Sequence, residues 1–121
     1  MSAADRCLAL SNLALGDAQC RASIIESRAL EALIAVIKTQ QHGDAAAALC
    51  LENAVSALMN LARDSHGQTA IGLLGGIEAV LTAMKARTAD SNLQKLGGAL
   101  LQMLSHEHEQ NRIVIMSLIS M

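Results

Sequence analysis

A chain of 121 residues that is 52% apolar and 17% charged, and that has no Phe, Trp, Tyr or Pro, builds its core from Leu, Ile, Val, Met and Ala. The best helix formers are abundant and the strongest helix breaker is missing, so an all-α fold is close to forced, as one compact unit or a short stack of repeats. A formal net charge of −2, nine scattered Lys and Arg residues and no aromatic ring to stack on a base argue against nucleic-acid binding. No apolar run approaches the ~18 residues of a membrane span, and Met1 to Arg6 lacks the basic-then-apolar pattern of a secretory signal. Cys7, Cys20 and Cys50 are odd in number and share no CxxC spacing. They read as reduced, mostly buried thiols of a cytoplasmic protein, with the nucleus as the second compartment.

In chain order, residues 3–15 carry Cys7, Leu8, Leu10, Leu13 and Leu15 at helical spacing, and Gly16 closes that helix. Asp17 is positioned to cap a second helix over 18–26, with Cys20, Ile24 and Ile25 as its apolar side. After a break at Ser27-Arg28, residues 29–38 present Leu30, Leu33, Ile34 and Ile37 at i, i+3, i+4 and i+7. Thr39 to Gly43 reads as a loop, and Asp44 as the N-cap of a long helix over 45–63. A turn at Asp64 to Gly67 precedes a short helix over 68–74, broken by Gly75-Gly76. Ile77, Val80, Leu81 and Met84 mark the next helix, Thr88 to Ser91 a loop, and residues 92–104 another long helix. The last stretch, 109–119, is apolar at Ile113, Ile115, Met116, Leu118 and Ile119.

This order repeats. Ala9 to Ala14 (Ala-Leu-Ser-Asn-Leu-Ala) returns as Ala57 to Ala62, and a worn copy runs from Ala99 to Leu104. Ile24, Leu30, Leu33 and Ile37 match Ile71, Ile77, Val80 and Met84 at an offset of 47. Ala57, Leu58, Asn60 and Ile71 match Ala99, Leu100, Gln102 and Ile113 at an offset of 42, so the first unit is about five residues longer, with the excess near Gln40 to Ala48. A three-helix period in the forties marks a helical solenoid, in which each unit buries its apolar face on its neighbours.

Ala57-Leu58-Met59-Asn60-Leu61-Ala62, its Ala9 to Ala14 twin, and Ile71 to Leu81 resemble armadillo repeats, the family of the catenins and importin-α. The resemblance covers nearly the whole chain and implies a right-handed α-α superhelix of armadillo-type three-helix repeats. Its units would be a partial repeat at 1–15 contributing a third helix, complete repeats at 17–63 and 64–105, and the start of a partial repeat at 106–121. It also implies a concave face of third helices that binds an extended protein segment, with Asn12, Asn60 and the longer Gln102 bonding the peptide backbone. Beside them fall Asp5 and Leu8, Glu52 and Ser56, and Lys95. The Trp that importin-like grooves carry four residues before the Asn is replaced here by Leu8, Ser56 and Gly98. Without those rings, capture of a basic nuclear localisation signal is disfavoured.

Chemistry is poorly represented. His106-Glu107-His108-Glu109 is not HExxH, because position 110 is Gln, and His66 aligns with His108 at the 42-residue offset, as a recurring turn position would. Gly97-Gly98 falls inside a helix, where it permits close helix approach or a kink. The expectation is a non-enzymatic scaffold for a protein or extended peptide, without cofactor or metal. The rival expectation is a self-assembly unit that associates through uncovered terminal helices, since Ile113 to Ile119 looks unlike a polar cap.

Overall fold

The computed structural model describes Asn12, residues 18–26 and residues 28–120, and among these it holds helices and no strand. The helices are α1 (Ala18–Glu26), α2 (Ala29–Thr39), α3 (Ala45–Leu61), α4 (Ser65–Leu73), α5 (Gly76–Ala86), α6 (Ser91–Ser105) and α7 (Glu109–Ile119). Asn12 is helical, while the rest of the helix expected at 3–15, together with Cys7 and the Asp17 cap, lies outside the described residues. Cys50 is a free, buried thiol on α3.

Side-chain caps fix where most helices begin. Asp44 accepts from the Ala46 and Ala47 amides at 3.1 and 3.2 Å, Asp64 from Gly67 at 3.0 Å and Asp90 from Leu93 at 3.0 Å. Asp64 therefore starts α4 at Ser65, where the sequence pattern suggested a turn lasting to Gly67. The Gly67 amide is already satisfied by the cap, so the chain has no reason to delay the helix. The α1–α2 and α4–α5 corners instead use the left-handed region, at Arg28 (φ 69°) and Gly75 (φ 84°), 47 residues apart. Only at Gly75 is the residue suited to that backbone.

Each helix packs on its counterpart one unit later: α1 on α4, α4 on α7, α2 on α5 and, as the largest pairing, α3 on α6. Within a unit α2 packs on α3 and α5 on α6. An aliphatic core runs through the stack, with Leu30, Leu33, Ile37, Leu51, Leu58, Leu61, Ile71, Ile77, Leu93, Leu100 and Leu104 all fully buried. Gly97 is buried where a Cβ would press on the Met84 sulfur, so its missing side chain lets α5 lie close to α6, while Gly98 faces open space.

The five extra residues of the first unit are accounted for. Asp44 and Asp90 cap equivalent helices 46 residues apart, yet within those helices Leu51, Val55 and Leu58 precede the buried Leu93, Gly97 and Leu100 by 42. Four of the five form an added turn at the start of α3, and the fifth lies in the loop before it.

The 42-residue match breaks down at α7. The caps Asp64 and His108 are 44 residues apart, and Ile115, not Ile113, takes the buried place of Ile71. Ile113 is 53% exposed. The two extra residues lengthen the end of α6, which runs to Ser105 although Leu61 matches Met103. The corners that follow, 62–64 and 106–108, are equal in length, with Glu107 at φ 51° in the second. His108 is consequently the counterpart of Asp64, and its pairing with His66 does not hold.

No single helix among the described residues is long and apolar enough to cross a membrane. The α4–α5 pair, apolar enough when joined, is bent by 70° between its two helices.

Candidate peptide-binding face

Because α3 and α6 bury Leu51, Val55 and Leu58 and Leu93, Gly97 and Leu100, the residues half a turn away point outward. On α3 that side holds Leu49, Ser56 and Asn60, with Arg63 two residues past its end, and on α6 it holds Lys95, Gly98 and Gln102. At the 42-residue register of these two helices, Ser56 is the counterpart of Gly98 and Asn60 of Gln102. Lys95 and Gln102 are exposed, and Ser56 and Asn60 are half-buried. Asn60 also has an interaction within the fold. Asn12 is exposed on its helical residue, whereas Asp5 and Leu8 lie outside the described residues.

Glu52 has a different setting from the rest of the set. Burial and the neighbouring Asp90 carboxylate raise its pKa, against hydrogen bonding from Asn92 and the charge of Arg87. The Glu52 carboxyl thus serves the α3–α6 junction, beside the cap of the next helix. Arg87 spans the same junction by donating from Nη1 to the Gly43 carbonyl at 3.3 Å.

An open cleft of about 260 Å³ continues the face at the C-terminal ends of α3 and α6, lined by Ala62, Arg63, Gln68, Met103 and His106. Gln68 shapes it. Its Nε2 donates to the Ala62 carbonyl at 3.3 Å and to Met103 at 2.9 Å, satisfying the ends of two successive third helices at once. Asn111, 2% exposed, repeats the device: its Nδ2 donates to Leu104 and Gln68 carbonyls, both at 2.9 Å. Gln94 closes α5 in the same manner through Met84 and Arg87. Sequence reasoning passed over these three amides and singled out the outward ones. The available signal was their position, since Gln68, Gln94 and Asn111 each stand three or four residues beyond a helix cap.

The His106 to Glu109 run is structural at His108, whose Nδ1 accepts from the Asn111 amide at 3.2 Å while Nε2 meets Thr69 Oγ1 at 2.9 Å. Among the described residues no group of three His, Cys, Asp or Glu is placed to hold a metal ion. The α3–α6 face offers amides, a hydroxyl and two exposed cations, which suits hydrogen bonding to a peptide backbone and ion pairing with its side chains. No protein-family model matches the chain, nor does any curated protein or solved structure.

Proposed function

We propose that this chain is a non-enzymatic interaction scaffold whose armadillo-type units wind into a right-handed superhelix and hold an extended peptide along the outer face of α3 and α6. The observation that carries this reading is the polar outward side of two stacked helices, Ser56 and Asn60 on one and Lys95 and Gln102 on the other, with Asn60 and Gln102 at matching turns. Packed helices lie ~9 Å apart and an extended chain advances ~3.3 Å per residue. Successive helices would therefore meet the backbone about every third residue. The fully exposed charges on the described face are Arg63 and Lys95, and the partly buried Glu52 lies beside Arg87 as well as Asp90, so a segment with acidic side chains is favoured. A cytoplasmic setting goes with this reading and with the reduced Cys50.

The test is selection of random dodecapeptides from a display library on the wild-type chain, followed by affinity measurement on the Asn60→Ala/Gln102→Ala double variant. Two lost backbone hydrogen bonds at ~0.5–1.5 kcal/mol each predict a loss of roughly five- to 150-fold with helicity intact. Equal affinity in the double variant would remove the groove. The rival reading, an assembly unit, draws on Ile113, Met116 and Ile119 of α7, which are 53%, 63% and 62% exposed.

A further inference from the structure

Gln68 stands on α4, yet its side chain serves the two helices that carry the outward amides. Its Nε2 donates to the Ala62 carbonyl at 3.3 Å and to the Met103 carbonyl at 2.9 Å. Ala62 follows Asn60 by two residues, and Met103 follows Gln102 directly. One nitrogen therefore uses both of its hydrogens to hold the ends of α3 and α6 against each other, and only Oε1 is left to offer a ligand.

Nothing else at this junction fixes the offset of the two ends in the same way. Beneath the face the contact is aliphatic, with Leu58, Leu61, Leu100 and Leu104 fully buried. Such contact is non-directional, and it sets how closely the helices lie more than how far one slides along the other. The helix ends are not level either. Against the register of the buried Leu51 and Leu93, α3 starts a turn earlier and α6 ends two residues later. A pair of hydrogen bonds from one atom is directional and does fix the offset. The tie is itself held, because the Gln68 carbonyl accepts from Asn111 Nδ2 at 2.9 Å.

A peptide that bonds Asn60 and Gln102 at once depends on that offset, since its own donors and acceptors recur at fixed steps of ~3.3 Å per residue. We propose that Gln68 is a positioning residue of the peptide face: without touching the peptide, it holds Asn60 and Gln102 at the separation that lets one extended segment bond both. This rests on the groove reading above.

A double-mutant cycle tests it, with a dodecapeptide selected on the wild-type chain as the probe. Gln68→Met keeps the length of the side chain and removes its donors. Ala62 and Met103 line the open cleft, so water can replace the lost bonds, and far-ultraviolet circular dichroism is expected to be unchanged. The variant is expected to weaken peptide binding about two- to tenfold, the worth of one backbone hydrogen bond. In a Gln102→Ala background one anchor remains and its offset no longer matters, so the same substitution is expected to leave affinity within measurement error. Gln68→Asn, whose amide falls one methylene short of both carbonyls, is expected to follow the same pattern and guards against a folding defect in the first variant. Equal losses in both backgrounds would overturn the proposal, since Gln68 would then act by direct contact or through stability. So would undiminished affinity of both Gln68 variants in the otherwise wild-type chain. Full affinity of the Asn60→Ala/Gln102→Ala variant would remove the groove itself, and this role with it.

Discussion

Asn111 donates from its buried side chain to the main-chain carbonyl of Gln68 at 2.9 Å, joining α7 to α4 across a unit boundary. Its second bond, to Leu104 at 2.9 Å, closes the end of α6. Removing the amide from its 2% exposed site strands the Leu104 carbonyl at the end of α6, worth ~1–3 kcal/mol when left unsatisfied. It also takes the second donor from the Gln68 carbonyl, which stays within the α4 ladder. Asn111→Ala is expected to lower unfolding free energy by about 2–4 kcal/mol in urea titration. Asn111→Asp is expected to cost more at neutral pH, since it turns a carboxylate toward two carbonyl oxygens.

Asp64 makes stability fall in acid. Burial pushes its carboxyl up, but the Gly67 amide and the hydrogen bond and charge of Arg21 outweigh that, and the pKa lies below the ordinary 3.8. Arg21 Nε stands 3.2 Å from Asp64 Oδ2. A depressed folded pKa contributes stability above the unfolded value that is lost as pH falls through the folded one. The loss is therefore expected below about pH 4. Asp64→Asn keeps an acceptable cap and should flatten that limb of a pH series of thermal melts.

Glu52 acts in the opposite sense. Burial first, then Asp90, raise its pKa above 4.5, so its proton is held more tightly folded than unfolded. Stability from the protonated form is present at low pH and lost as pH rises through the folded value. Glu52→Gln is expected to stabilise the chain at pH 7 by a few tenths of a kcal/mol, discounted because the site is half solvent-facing. The same variant should leave selected-peptide affinity within twofold, because the carboxyl serves the α3–α6 junction. A large loss of affinity would return Glu52 to the groove.

The order of helices and their apolar faces are legible from spacing alone, because 3.6-residue periodicity fixes which side of a helix is buried, whereas Ser56, Asn60, Lys95 and Gln102 were singled out through the armadillo resemblance. The position of α7 was not legible. Ile113 and Ile115 both look apolar enough to be the counterpart of Ile71, and the two-residue shift comes from a longer end of α6 that no glycine or cap marks in the sequence. The setting of Glu52 was hidden for another reason. Its neighbours Asp90 and Asn92 are about forty residues away and meet it only through the stacking of α6 on α3. Asn111 looked like any polar residue near a helix start, since nothing local tells a buried amide from a solvated one.

The adjacent glycines of α6 separate packing from propensity. Nothing lies within 4 Å of a Cβ built at Gly98, so Gly98→Ala should stabilise the chain by ~0.5–1 kcal/mol through helix propensity alone. At Gly97 the same methyl meets the Met84 sulfur at 2.5 Å, and the methionine must move away from α6. Gly97→Ala is expected to gain less than Gly98→Ala, because displacing the Met84 side chain offsets part of the propensity gain. Paired urea titrations check it, and equal gains at both positions would mean that α5 and α6 are not held as closely as the buried Gly97 implies.

The two left-handed corners make the last comparison. Arg28 and Gly75 occupy equivalent corners with φ of 69° and 84°, a region that costs a residue with a Cβ ~1–2 kcal/mol. Arg28→Gly relieves that cost but adds unfolded-state entropy, for a net gain of up to ~1 kcal/mol. In Gly75→Ala both terms change sign: the open space around its Cβ, with the Lys38 Nζ 3.9 Å away, leaves the backbone as the main penalty, partly offset by the entropy that alanine removes from the unfolded chain. It is expected to destabilise by about 1 kcal/mol. Opposite signs for the two substitutions in thermal melts are the expected result. Like signs would mean that the corners are not equivalent and that the 47-residue register does not extend to them.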